Sequence, residues 1–382
     1  MALTEFGVNH PMAVRLWAKR AMAETFAETW INRFVGDNQN SIIERKMPGN
    51  KGAGDRITFA LRARLKGLGV RGDRTLEGNE EKLSYNTDTL IIDQLRNAVR
   101  SKGHMSEERV PFNIRADAKD SLVDWWANRM DTAAFIQLSG SPVVENEEVP
   151  GTFSIASLEE TGMNPVFQPS ANRMVLANPA AANESALTSS DTFTLGMIDR
   201  AVAKAKTTRP LMRPVRLGGE EVFVVVLHPY QVAQLRADNS AGSWKDIQMA
   251  TLAGGDIKRN PLMTGAVGYY NGCIIHESNN IPVASTAAGV ILPNVRRAVL
   301  LGAQAGVIGF GSDTPSADVE ASFRWKEKYF DYDNELGVSL GGIFGLKKTR
   351  YMDADIETGA INTASGVDFA TITLSSYSPT VA

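Results

Sequence analysis

The stretch that decides the fold is Arg56-Ile-Thr-Phe-Ala-Leu-Arg-Ala-Arg-Leu65, followed by Lys66-Gly-Leu-Gly-Val-Arg-Gly-Asp-Arg-Thr-Leu-Glu-Gly-Asn-Glu-Glu81. The first ten residues alternate apolar and basic positions, the period of a strand with one face in water. A second strand fits Lys82 to Ile92. The segment between them is polar, glycine-rich and too long for a tight turn, so the pieces predict a long hairpin with an extended charged tip. Two paired strands bury little against each other, and a lone ribbon is marginal in water. The hairpin therefore needs a partner surface, and another copy of the chain is the first candidate. At the tip, Arg71, Asp73, Arg74, Glu77, Glu80 and Glu81 offer both signs of charge. Exposed pairs of this kind across a subunit boundary set register more than affinity.

Upstream, Pro48-Gly-Asn-Lys-Gly-Ala-Gly-Asp55 is too glycine-rich for regular structure. From Pro11, apolar groups recur at Val14, Trp17, Met22, Phe26, Trp30 and Phe34, roughly one per turn, among Arg15, Lys19, Arg20, Glu24, Glu28 and Arg33. This is an amphipathic helix with Pro11 near its start and Gly36-Asp37-Asn38 at its stop. It is either one more core-facing helix or an arm, packed through Trp17, Phe26 and Trp30, that docks on a neighbouring subunit.

Downstream, Arg115 to Leu138 reads as the longest helix, with Ala118, Leu122, Trp125, Trp126, Arg129, Ala133 and Ile136 on one broad stripe and Ser139-Gly140 ending it. Leu122, Trp125 and Trp126 form its expected core, and its span is roughly 36 Å, enough to brace a whole subunit. Gly140 to Ser190 reads mostly as loop, and Asp191-Thr-Phe-Thr194 caps a helix running to about Lys206. Glu221-Val-Phe-Val-Val-Val-Leu227 is a fully buried strand by its unbroken β-branched run, closed by His228-Pro229 before a helix through Gln231, Ala233 and Leu235. After Gly242 short apolar pieces alternate with Gly, Asn and Pro: Val267 to Tyr270, Cys273 to His276, Val290 to Leu292, Ala298 to Leu301 and Gly306 to Gly311. These form a second, sheet-centred unit. Asp318 to Tyr351 alternates again, suggesting strands that rejoin the first unit. The tail from Thr358 is rich in Ser, Thr and Gly, with one strand-like run at Phe369 to Leu374.

A chain of 382 residues, 43% of them hydrophobic, has ample core material and the length for two or three globular units. A formal charge of −3 provides no global field toward nucleic acid or an anionic membrane, so any DNA contact is local or weak. Cys273 is the sole cysteine, which excludes an intrachain disulfide and points to a reducing compartment. The start lacks the order of a secretory signal, and no window approaches ~20 uninterrupted apolar residues, so a soluble chain made inside the cell is expected.

Motifs for chemistry fail on context. Gly67-Leu-Gly69-Val-Arg-Gly72 matches a dinucleotide pattern, but no apolar helical stripe follows it. Arg71-Gly72-Asp73 spells an adhesion tripeptide too short to be informative. Asp331-Tyr-Asp333-Asn334-Glu335 resembles the start of a calcium loop, yet its twelfth position is Gly342 instead of a bidentate glutamate. The carboxylates read better as solvated groups beside a strand end. Asp353, Asp355 and Glu357 read as a surface strand. No nucleophile elbow, phosphate loop or H-E-x-x-H occurs. His10, His104, His228 and His276 each have a local structural explanation, and the apolar flanks of Cys273 make an inert thiol. No catalytic residue, cofactor or metal is expected.

Gly69 to Glu81, Ile92-Asp-Gln-Leu-Arg-Asn-Ala-Val99, Gly103-His-Met-Ser106 and Trp125-Trp126 with Asp131 together resemble tailed-bacteriophage major capsid proteins, the group typified by the coat of the podovirus N-four. Weaker similarity runs through His228 to Arg236, Gly268 to Gly272 and Phe330 to Gly337, so it covers most of the chain. The resemblance implies an α+β, Hong Kong 97-type capsid fold. Its parts would be an N-terminal arm with an amphipathic helix (1–50), an extended β-hairpin loop (51–100) and a peripheral domain (101–221) with spine helix 115–138. An axial domain (222–311) would follow, then strands returning to the peripheral domain and a C-terminal tail (312–382). It further implies self-assembly as hexamers and pentamers into an icosahedral shell around double-stranded DNA, bound without sequence specificity. A portal and, in some systems, scaffolding and decoration proteins would be partners; no membrane is involved. The product would be a virion capsid assembled in the host bacterial cytoplasm. An encapsulin-like nanocompartment shell is the alternative on the same fold; a soluble enzyme with a site in the second unit, or a decoration or tail protein, are more distant ones.

Overall fold

The structure is a computed structural model that describes residues 11–46, 55–62, 69–80, 85–109, 114–146, 148–209, 211–217, 219–237, 266–311, 323–351 and 366–380. Helix α1 spans Pro11–Glu28, α2 His104–Glu108, α3 Ile114–Ser139, α4 Leu195–Thr207 and α5 Pro229–Ala237. Two sheets carry the fold.

The first sheet runs Val35–Gly36, Ile43–Lys46, Gly306–Phe310, Glu335–Lys348, Phe323–Phe330, and the long strand Glu335–Lys348 also pairs with Asp93–Arg100. Its two faces follow from the period-two pattern of Phe323–Phe330: Phe323, Trp325 and Glu327 are buried while Arg324, Lys326 and Lys328 are exposed. Helix α3 covers the buried face. The Trp126 ring meets Phe323 at 4.9 Å and Phe344 at 5.6 Å, and its indole N–H donates to the Leu340 carbonyl at 3.4 Å. Gly140 ends α3 in the left-handed region at φ 65°, where an added Cβ would stand 2.4 Å from the Phe167 carbonyl oxygen, so glycine is required.

The second sheet has Glu220–Leu227 near its centre, in the order Gly268–Tyr270, Cys273–Glu277, Glu220–Leu227, Ile291–Leu301, Thr371–Tyr377, Met174–Leu176. The run Val222 to Leu227 is buried throughout because both faces are covered. Phe223, Val225 and Leu227 pack with Met197, Ile198, Ala201 and Val202 of α4, whereas Val224 and Val226 join the core that also holds Trp126 and Phe344. That shared core makes the sheets one packed body.

Several boundaries differ from the sequence-based expectation. The helix expected to run from Pro11 through Phe34 stops at Glu28, and Trp30–Phe34 is a 3₁₀ turn. The Thr25 and Thr29 hydroxyls donate to the carbonyls of Ala21 and Thr25, at 2.8 and 2.6 Å, a back-bonding that loosens helices. The Asp131 carboxylate then accepts the N–H groups of Trp30 and Ile31, each at 2.9 Å, so the diverted turn keeps its bonds. Gly306–Phe310, expected with the second unit, pairs instead with Glu335–Lys348 and Ile43–Lys46 of the first sheet. The strand-like run expected in the tail at Phe369 to Leu374 is the strand Thr371–Tyr377, and it pairs with Ile291–Leu301 of the second sheet. Asp93–Arg100 is a strand that no alternation announced. Residues around Asp353, Asp355 and Glu357 lie outside the described residues.

A buried ion pair ties the second sheet to the end of α3. Arg297 meets Glu184 through two bonds of 2.8 and 2.6 Å, and also donates to the carbonyls of Gly140 at 2.9 Å and Ser285 at 2.6 Å. The Ser375 hydroxyl completes the carboxylate at 2.6 Å. Glu184→Ala leaves that guanidinium buried and uncompensated, so chemical denaturation should show a loss of about 3–5 kcal/mol, whereas the exposed Glu148→Ala should change little. The Asp131 carboxyl is pushed up to about 6, chiefly by burial, against its two backbone bonds and Arg33. A raised carboxyl pKa stabilises the fold below the unfolded value and loses that contribution as pH rises through the folded one. Between pH 4 and 7 the wild type should therefore lose roughly 3 kcal/mol more stability than Asp131→Asn, measured by urea titration at each pH.

Candidate assembly surface

The hairpin pairs Arg56–Arg62 with Tyr85–Ile91, Arg56 opposite Ile91 and Arg62 opposite Tyr85. Its expected strands reached Leu65 and back to Lys82, but residues 63–68 and 81–84 lie outside the described residues. Ile57, Phe59, Asp88 and Leu90 share one face by register, and Phe59, Asp88 and Leu90 are buried; Thr58, Thr87 and Thr89 on the other face are exposed. The expectation of one wet face holds at the base.

That base sits on a floor of glycines in the first sheet, on the face opposite α3. A Cβ on Gly345 would stand 2.0 Å from the Ile91 carbonyl oxygen, and one on Gly309 would stand 2.6 Å from Leu90 Cδ2 and 2.9 Å from Ile57 Cδ1. The Asn164 side chain replaces a strand partner, accepting from Ile91 N–H and donating to Ile91 C=O, both at 2.9 Å. Buried Asp88 pairs with buried Lys347, whose ammonium also donates to the Thr89 carbonyl at 2.9 Å, and Arg350 N–H donates to Asp88 at 3.3 Å. A lysine inside an apolar strand costs stability unless paired, so this pair specifies where the hairpin leaves the sheet.

The tip is the opposite case. Residues 71–80 are all exposed, including Arg71, Asp73, Arg74, Glu77 and Glu80, and Leu76 retains 60% of its surface; Glu81 lies outside the described residues. Local bonds shape it: Asn79 N–H to the Leu76 carbonyl at 2.9 Å, Asn79 side chain to the Thr75 carbonyl at 3.0 Å, and Gly78 N–H to Glu80 at 2.7 Å. Gly69, Gly72 and Gly78 adopt positive φ. The tip is shaped but uncovered.

The other predicted site residues lie elsewhere. Phe26 packs edge-on to Phe310 at 5.6 Å and Phe323 at 6.3 Å, and Trp30 meets Phe34, Phe135 and His276, so both belong to the core of their own chain. Trp17 lies on α1, and its side chain is outside the described residues. Leu122 and Trp126 are buried in the α3 interface, while half-buried Trp125 carries Arg129 over its ring at 5.4 Å. Sequence reasoning missed Asp88, Asn164, Lys347 and the glycine floor. Lys347-Lys348 ending the apolar run from Gly341 was the one available signal.

The motifs for chemistry resolve structurally. Gly69 and Gly72 lie in the tip with no helix after them, and Asp331 to Asp333 form the turn between two strands. Among the described residues no group of three or more His, Cys, Asp and Glu could hold a metal ion. Burial pushes the Cys273 thiol up to about 12, and burial beside Arg296 pushes His228 down to about 3. Gly345→Ala should lift the hairpin base from its floor. We expect a loss of about 1–3 kcal/mol and faster amide hydrogen exchange at Asp88 to Ile91, while Gly196→Ala, whose nearest new neighbour is 3.9 Å away, should change neither.

Comparison with known proteins places these features. The profile of a family described as phage capsid protein matches residues 5–380. The major capsid protein of Pseudomonas phage KPP25 is 32% identical over 371 residues, covering 91% of this chain and 93% of its own. The capsid of Ralstonia phage GP4 superposes with a TM-score of 0.76 at 30% identity, over 93% of this chain and 92% of that one. The cyanophage Pam1 capsid shares the fold with a TM-score of 0.62 at 17% identity, over 92% of each chain. A base locked onto its own sheet, a presented tip and these relatives converge: the chain belongs to the phage capsid protein family and has the Hong Kong 97-type α+β fold of tailed-phage major capsid proteins, which are structural proteins and not enzymes.

Proposed function

We propose that this chain is the subunit of an icosahedral shell, assembled as hexamers and pentamers in the host bacterial cytoplasm, that encloses the double-stranded DNA of a tailed bacteriophage. The observation that carries the reading is the hairpin, fixed rigidly at its base and exposed over the whole of residues 71–80. A contact surface presented away from its own core suits head-to-tail contacts between copies, which close into rings where the rotation between neighbours closes. In this reading the first sheet with α3 forms the peripheral domain, with α3 as the spine helix, and the sheet around Glu220–Leu227 forms the axial domain. The hairpin is the extended loop.

A portal would occupy one vertex, with scaffolding or decoration proteins as further partners. A formal charge of −3 suits a wall that contains DNA without a strong electrostatic grip on its phosphates. The nanocompartment alternative is not favoured, because the matching family and relatives are phage capsids. Replacing residues 71–80 by a short Gly-Ser linker should leave a folded chain, by circular dichroism and unfolding midpoint, that forms no closed shells under electron microscopy. Normal shells from that variant would contradict the proposal.

A further inference from the structure

Where the end of α3 meets the second sheet, the described residues surround a cavity of about 400 Å³ that the shell reading does not use. Pockets that hold small ligands run from roughly 300 to 1,000 Å³. The inner wall is apolar: Ile136 of α3, Val143 just after it, and Ile281 and Val283 beside the second sheet, all buried. Exposed Asn146 and Pro150 stand at the lip, so solutes can enter. Two polar side chains line the cavity from the second sheet, and each is more than nine-tenths buried: Arg296, 1% exposed, and His228, 6% exposed.

Both side chains keep a donor without an acceptor. Arg296 uses Nη2 on Glu145 at 2.9 Å and Thr380 at 3.3 Å, and Nη1 on the Ile281 carbonyl at 3.3 Å, while its Nε–H has no partner. His228 Nδ1 accepts from the Tyr230 N–H at 3.2 Å, so the neutral ring carries its proton on Nε2. That Nε2–H finds no acceptor among the described residues, although the ring lines the cavity. A buried donor left unpaired is costly, and each one calls for a water, an ion or a ligand atom. The surroundings select negative charge. Burial, and then Arg296, hold His228 down to about 3, and the cavity borders the start of α5, the positive end of a helix of 9 residues. Glu145 is the one carboxylate among the described residues lining it, and both its oxygens are engaged, Oε2 by Arg296 and Oε1 by the Gly151 N–H at 3.0 Å.

We propose that this cavity is a binding site for a small aliphatic carboxylate, one oxygen accepting from His228 Nε2–H beside Arg296 and the stem lying among Ile136, Val143 and Ile281. One open donor next to a cation already shared with Glu145 suits a single negative charge and not a phosphate dianion. The apolar wall suits a short hydrocarbon stem. The inference is independent of the shell reading. A ligand seated there touches α3, the strand Val143–Glu145 and the second sheet at once, so it stiffens the joint between the two sheets and, by binding only the folded chain, raises its unfolding midpoint.

The test titrates hexanoate into the full chain and follows the histidine ring nitrogens by NMR together with the unfolding midpoint. Hexanoate should shift the Nε2 signal of a single histidine and raise the midpoint. His228→Asn keeps an acceptor for the Tyr230 N–H and removes the Nε2–H; it should fold, lack that signal and bind hexanoate roughly tenfold or more weakly. Hexanol, with the same stem and no charge, should bind the wild type weaker than hexanoate by a similar factor, a comparison that stands even where the Asn variant fails to fold. Equal affinity for hexanoate and hexanol, or hexanoate binding that His228→Asn leaves intact, overturns the proposal. Absence of binding at millimolar hexanoate also overturns it and leaves the cavity to water. Shells that exclude hexanoate while the free chain binds it overturn the small-molecule assignment and give the cavity to a carboxylate of a neighbouring subunit.

Discussion

The missing side chain of Gly345 is the constraint on which the rest depends. With 2.0 Å between a virtual Cβ and the Ile91 carbonyl oxygen, the sheet and the hairpin base share one volume, and only glycine allows it. Close approach fixes the hairpin's direction, and the Asp88–Lys347 pair with the Asn164 clamp fixes its register. A long ribbon amplifies any error at its root, so positional accuracy at the base is what makes a distant tip useful. The costly chemistry of buried charge is spent there, while the tip keeps only local bonds.

The remainder of the fold supports that root. Helix α3 braces the opposite face through Trp126, and its C-terminal half is tied to two different parts of the molecule. Asp131 holds the turn after α1; just past the helix end, Gly140 passes its carbonyl to the buried Arg297–Glu184 pair. The core shared between the sheets carries hydrophobic stabilisation, and the polar ties decide geometry. A shell wall needs this division, since subunits that bend at a joint cannot hold a lattice angle.

Legibility in the sequence followed the range of the interactions. Helix α3 was readable to within a residue at each end because its stripe and its Gly140 stop are local signals. The buried strand ending at Leu227 was readable from its β-branched run. Strand partnership was not: Gly306–Phe310 went to the first sheet instead of the second, and nothing local told which sheet Thr371–Tyr377 would join, because alternation reports exposure and not the neighbour. The break after Glu28 depends on Asp131, about a hundred residues away, and the stripe through Trp30 and Phe34 hid it. The hairpin tip was visible as composition, whereas its floor was invisible because a glycine's function there is the absence of atoms. The family resemblance added what no local pattern contained, the shell that these parts would build.

The central claim is that the tip is ordered by contact with another copy. Amide hydrogen exchange of the same chain before and after shell formation tests it most directly. The account predicts that amides at Asp88 to Ile91 are protected in both states, while those of residues 71–80 exchange quickly in the free chain and slow by at least an order of magnitude in shells. Equal exchange of the tip in both states would contradict it.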